Sequence, residues 1–92
     1  MLASHRTARF KKLLAALPQD VQRQAQAAYR QFKQNPSHPG LSFRPVITAG
    51  ENAWSASIGN RYRVIGYRTG DVIIWDWIGS HEAYNHIVKQ RR

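Results

Sequence analysis

Val72-Ile73-Ile74-Trp75-Asp76-Trp77-Ile78 is apolar at every position but Asp76. Successive side chains of a β-strand point to opposite faces, so a run apolar on both predicts a central strand, covered by helices on at least one side. Upstream of it the hydrophobic pattern keeps a period of two. Three further strands are expected at about 42–47, 53–58 and 62–67, set apart by Ala49-Gly50-Glu51-Asn52 and Gly59-Asn60, with Thr69-Gly70-Asp71 leading into the apolar run. Connections this short join antiparallel neighbours, which makes the second half a four-stranded antiparallel meander.

Before the meander, Asn35-Pro36-Ser37-His38-Pro39-Gly40 places two prolines and a glycine where any helix must end. The segment preceding it has helical periodicity. Phe10, Leu13, Leu14 and Leu17 fall at i, i+3, i+4 and i+7 behind Thr7, a ready N-cap, and predict a helix over 8–17. Pro18 suits the first turn of a second helix, Asp20 suits its positive end, and Val21, Ala25, Ala28, Tyr29 and Phe32 continue the apolar stripe. After the meander, Gly79 and a capping Ser80 open a third helix over 81–89, with Glu82 in its first turn and Lys89 in its last. The class is α+β: an N-terminal αα-hairpin packed on a four-stranded antiparallel meander, closed by a short C-terminal helix.

Ninety-two residues, 42% of them hydrophobic, suffice for one core, so residues 1–92 are expected to form a single domain. Without cysteine there is no disulfide, thiolate metal site or thiol nucleophile, and a reducing compartment fits. No stretch approaches the roughly 20 apolar residues of a membrane span, and no signal-peptide pattern opens the chain, so a soluble cytoplasmic protein is expected. Fourteen Lys and Arg against five Asp and Glu give a formal charge of +9. A polyanion is the natural partner: nucleic acid foremost, with an acidic protein or an anionic membrane surface as alternatives.

Two segments could carry chemistry. In Asn60-Arg61-Tyr62-Arg63-Val64-Ile65-Gly66-Tyr67-Arg68, alternation places Arg61, Arg63 and Tyr67 on one face. Guanidinium groups fork onto phosphate oxygens and aromatic rings stack on unpaired bases, so this face suits single-stranded RNA; it equally fits a solvated sheet edge. In Gly79-Ser80-His81-Glu82-Ala83-Tyr84, His81 and Tyr84 project from one side of a helix start. Imidazole exchanges protons readily near neutral pH and a phenol can orient it, although a histidine at a helix start is also a common structural feature. Asp76, a lone acid in a basic protein, reads best as an ion-pair partner. His5, His38, His81 and His86 lack metal-ligand spacing, and there is no Gly-rich phosphate loop or carboxylate pair. Neither a metal nor a small-molecule cofactor is expected.

Leu17-Pro18 with Val21-Gln22, Asn35-Pro36 with His38-Pro39 and Leu41, Trp54-Ser55, Tyr62-Arg63, and Trp77-Ile78-Gly79-Ser80-His81 with Tyr84 together resemble the RelE/ParE superfamily of bacterial toxins. The likeness spans nearly the whole chain and rests on the order and spacing of these pieces. It implies a toxin held inactive by a cognate acidic antitoxin and acting on mRNA, commonly on the ribosome, as a metal-independent mRNA interferase. It further implies that Arg63 stabilises the phosphate and that His81 and Tyr84 occupy the acid/base and aromatic positions. Arg61, Arg68 and Lys89 are the candidates for holding flanking nucleic acid. The sequence departs from the superfamily at Ser57, where relatives carry Arg or Lys. The same resemblance leaves room for a ParE-like toxin that blocks DNA gyrase and cuts no RNA, or for a degenerate member that only binds RNA or antitoxin. For the antitoxin, Arg9, Lys12, Arg23 and Arg30 offer a basic surface to an acidic segment that folds on binding.

Overall fold

The computed structural model describes residues 2–90. Its elements run β1 (Ala3–Arg6), α1 (Ala8–Ala15), α2 (Gln19–Gln34), β2 (Arg44–Pro45), β3 (Ala53–Ile58), β4 (Tyr62–Thr69), β5 (Val72–Ser80) and α3 (His81–Gln90), with single 3₁₀ turns at Pro39–Leu41 and Ile47–Ala49. The α+β class, the helical hairpin and the closing helix are as the sequence predicts. The sheet is larger than the expected meander: it has five strands in the order β1-β5-β4-β3-β2, and β1 runs parallel to β5.

Local chemistry explains the helix ends. Thr7 Oγ accepts from the Phe10 N–H, so the predicted N-cap forms. The first helix stops at Ala15, short of Leu17, because Gln22 on α2 reaches back and donates its side-chain amide to the carbonyls of Ala15 and Leu17. Ser80 caps α3 by accepting from Ala83 N–H. The expected strand over 42–47 shrinks to Arg44–Pro45 because Ser42 takes a left-handed conformation (φ 46°) and the chain turns again from Ile47.

The apolar run at 72–78 hides a β-bulge. Ile65 pairs with Trp77 and Gly66 with Trp75, so Asp76 is the extra, unpaired residue of β5. The bulge shifts the alternation. Ile73, Trp75 and Ile78 enter one core, while Trp77 packs into another. Gly66 is required opposite the bulge, since a Cβ there would lie 2.7 Å from the Trp75 ring and 2.9 Å from the Ile74 carbonyl oxygen. Asp76 itself turns to α1, accepting from Thr7 Oγ at 2.9 Å and pairing with Arg9 at 3.3 Å, the ion-pair role its isolation in the sequence pointed to.

The sheet separates two cores. On one face α1 and α2 cover Phe10, Phe32, Leu41, Ala56, Val64 and Trp75, with Phe32 edge-on to both Phe43 and Trp75. The alternate residues Ala53 and Ile65 look to the other face, where Tyr84 of α3 joins them with Val46 and Ala49. α1 lies against β5 and α2 against β3. Between them runs a cleft of about 300 Å³ floored by Phe10, Phe32 and Trp75, with Arg6 and Arg30 among its lining residues.

Candidate active site

Arg63 sits in β4 with Ser57 of β3 on one side and Gly79 of β5 on the other. Its side chain points to the α3 face and is buried, with 6% exposure. Nη2 donates to Ser55 Oγ at 3.0 Å and Nη1 to Ser57 Oγ at 3.3 Å. The guanidinium carbon lies 4.5 Å from the centroid of the Tyr84 ring. Ser55, wholly buried, also accepts from the Tyr84 hydroxyl at 3.2 Å. Two serine hydroxyls and a π face thus surround a cation, and no carboxylate does; among the described residues the ion pair is the distant Arg9–Asp76. Burying a charge without a counter-charge is costly, and the cation–π contact and neutral hydrogen bonds offset only part of that cost. Arg63 Nε, moreover, is buried and has no partner. Such a centre favours an approaching anion.

Tyr84 links this buried cation to the surface. At 6.3 Å between ring centroids lies the exposed imidazole of His81. The His81 backbone N–H donates to the Arg61 carbonyl at 2.7 Å, which fixes the first turn of α3 against the β3–β4 turn. Its Nδ1 lies 3.2 Å from the Asn85 side-chain nitrogen. The amide of Asn85 therefore orients the imidazole through Nδ1 and leaves Nε2 for proton transfer.

The three residues expected to carry chemistry, Arg63, His81 and Tyr84, therefore converge. Tyr84 is 7% exposed, and with its ring against Arg63 and its hydroxyl on Ser55 it holds the cation in place. Arg61 is exposed beside the His81 backbone. Lys89, also exposed, lies eight residues along α3 from His81, or about 12 Å. Arg68 is apart from the group: it stacks 4.8 Å from the Trp54 ring and donates to the Gly70 carbonyl, five residues and roughly 16 Å along β4 from Arg63. Arg61 and Arg63 do not form the paired cationic face that alternation predicts, because Arg61 belongs to the turn before β4.

Ser55, Ser57 and Asn85 carry no predicted role, yet each bonds a site residue. The register that places Ser57 opposite Arg63 and both serines on the arginine's face needs a three-residue connection, Gly59-Asn60-Arg61; counting outward from Gly59-Asn60 alone puts Ser57 opposite Tyr62. Among the described residues no group of three or more His, Asp or Glu side chains comes together that could hold a metal ion, and no helix is long and apolar enough to cross a membrane.

The model of the ParE-like toxin domain matches residues 19–86, which takes in the second helix, the sheet from β2 onward and the Arg63–Tyr84–His81 group. The chain belongs to the ParE-like toxin family. No curated protein sequence matches it. Solved structures do. This ParE-like chain is similar to YafQ from E. coli strain BL21(DE3), with a TM-score of 0.71 at 11% identity over 91% of this chain and 98% of that one. It is similar to RelE in the RelB–RelE antitoxin–toxin complex from Methanococcus jannaschii, with a TM-score of 0.69 at 17% identity over 89% and 95% of the two chains. The E. coli DinJ–YafQ complex gives 0.62 at 11% identity over 90% and 97%. At these identities the likeness is one of fold, and the RelE/ParE resemblance read from the sequence holds.

Proposed function

We propose that this ParE-like protein, acting as a single domain, is the toxin of a type II toxin–antitoxin pair and a metal-independent endoribonuclease directed at cytoplasmic mRNA, with the ribosome as the setting for cleavage. The observation that carries this reading is the buried, acid-free cation of Arg63 joined through Tyr84 to the exposed His81. RNA brings its own nucleophile. The 2′-oxygen attacks phosphorus, its proton passes to water, the P–O5′ bond breaks, and a 2′,3′-cyclic phosphate and a 5′-hydroxyl result. The imidazolium form of His81 supplies from Nε2 the proton taken by the departing 5′-oxygen and is left as the neutral ring, and Asn85 orients that ring through Nδ1. Arg63 stabilises the charge gathering on the phosphate, held by Ser55, Ser57 and Tyr84 so that little reorganisation is needed. Arg61 and Lys89 bind flanking phosphates, whereas Arg68 has the weaker claim, being engaged with Trp54.

The partner proposed for inhibition is an acidic antitoxin, as RelB is the antitoxin in the RelE complex. The cleft between α1 and α2, apolar within and bordered by Arg6 and Arg30, is where an acidic segment would fold on binding, with Arg9, Lys12 and Arg23 as further exposed cations of the same helical layer.

The test is RNA cleavage by purified protein with and without ribosomes, in the presence of a chelator. The reading expects 2′,3′-cyclic phosphate ends, unaffected by the chelator and lost in His81→Ala. A second reading is favoured by the burial of Arg63 and by Ser57 in place of a cation: a ParE-like toxin that inhibits DNA gyrase without cutting RNA. Intact RNA together with inhibited supercoiling would establish it.

A further inference from the structure

Single-stranded nucleic acid is held by cations on its phosphates and by aromatic faces on its bases. The site has the cations, but its expected aromatic, Tyr84, is closed: Arg63 covers the ring and 93% of the residue is out of solvent. Trp77 is open. It is half-buried on β5, packed from within against the cluster formed by Ile65 and Tyr84. Its indole extends along the strand toward the site and lies across Gly79, the cross-strand partner of Arg63. The approach is so close that a Cβ on Gly79 would fall 2.5 Å from the indole Cζ2 and 2.7 Å from Cη2. The missing side chain of Gly79 is what lets the six-membered ring reach the backbone beside Arg63. The exposed aromatic of β4, Tyr67, is four residues or roughly 13 Å along that strand from Arg63, and Tyr62 packs on the opposite face of the sheet.

We propose that Trp77 is the platform on which a nucleobase next to the bound phosphate stacks, and that Gly79 holds the indole flat in that position. The assignment rests on the ribonuclease reading and names the part of the substrate it leaves out, a base of a single strand recognised by its π face and therefore with little sequence preference.

The test uses the full chain and a short fluorescent RNA oligomer with 2′-O-methyl groups, which cannot be cleaved, beside the same oligomer with abasic positions. Affinities are measured by anisotropy for the wild type, Trp77→Phe, Trp77→Leu and Gly79→Ala, with thermal unfolding of each variant as a check of folding. Wild type should bind the base-bearing oligomer more tightly than the abasic one by roughly tenfold or more. Trp77→Phe should keep most of that preference. Trp77→Leu, which retains apolar packing without a π face, and Gly79→Ala, which displaces the indole, should lose it while binding the abasic oligomer as the wild type does. A preference that survives Trp77→Leu, or a wild type that binds both oligomers equally, overturns the stacking role. Wild-type protein that binds neither oligomer overturns the ribonuclease reading together with it. The base-bearing against abasic comparison on the wild type decides the matter even if a variant fails to fold.

Discussion

Ser57 lies directly opposite Arg63 across the β3–β4 hairpin, and its hydroxyl accepts a hydrogen bond from Nη1 at 3.3 Å. A cation at position 57 would face the arginine at this register and repel it. With serine there, and Ser55 two residues back, Arg63 is drawn into the protein under Tyr84.

The hydroxyl of Ser55 holds two donors at once in a fully buried position. Ser55→Ala leaves the Arg63 Nη2 and Tyr84 O–H without a partner and should cost about 1–3 kcal/mol. For a domain of this size each kcal/mol lowers the unfolding midpoint by roughly 4–8 °C. Ser57→Ala, at a half-buried position with one longer bond, should shift the midpoint less. Thermal unfolding followed by circular dichroism measures both.

A buried cation without an acid is retained at the expense of stability. Arg63→Met should therefore leave the unfolding midpoint unchanged or raise it, while RNA cleavage falls by about 10²-fold or more. Parallel assays of stability and rate check this. A midpoint that drops by several degrees would make Arg63 a structural residue.

His81 is exposed, its ring beside the Asn85 amide and tilted toward the Tyr84 ring. His81→Gln should change stability by no more than about 0.5 kcal/mol, yet reduce cleavage by about 10²- to 10⁴-fold. Asn85→Ala should give a smaller loss of rate with the same stability, because it frees the orientation of the ring without removing it. Single-turnover rates on a defined RNA separate these effects from binding.

Opposite the bulge at Asp76, Gly66 has a backbone carbonyl and the Trp75 ring within 3 Å of where a Cβ would stand. Gly66→Ala should destabilise by about 1–3 kcal/mol, since the backbone oxygen cannot swing aside as a flexible side chain would. Urea unfolding with an unchanged m-value would show that the loss is one of packing in the native state.

Periodicity and capping are properties of neighbours along the chain, and they alone were enough for the three helices, for β3 to β5, and for the caps at Thr7 and Ser80. β1 escaped such reading because Ala3-Ser4-His5-Arg6 is an edge strand held by the β5 backbone, and its mostly exposed side chains leave no hydrophobic pattern. The bulge escaped for the opposite reason: a strand apolar on both sides of Asp76 gives no parity to lose. The positive charge, the family pattern and the candidates Arg63, His81 and Tyr84 are all written in the one-dimensional order of residues. That Arg63 is buried, that Tyr84 is a clamp and Trp77 the less enclosed aromatic beside it, and that Arg68 lies elsewhere follow only once α3 folds across β4 and β5. Burial and contact depend on which distant segments share a face, and no local pattern encodes that.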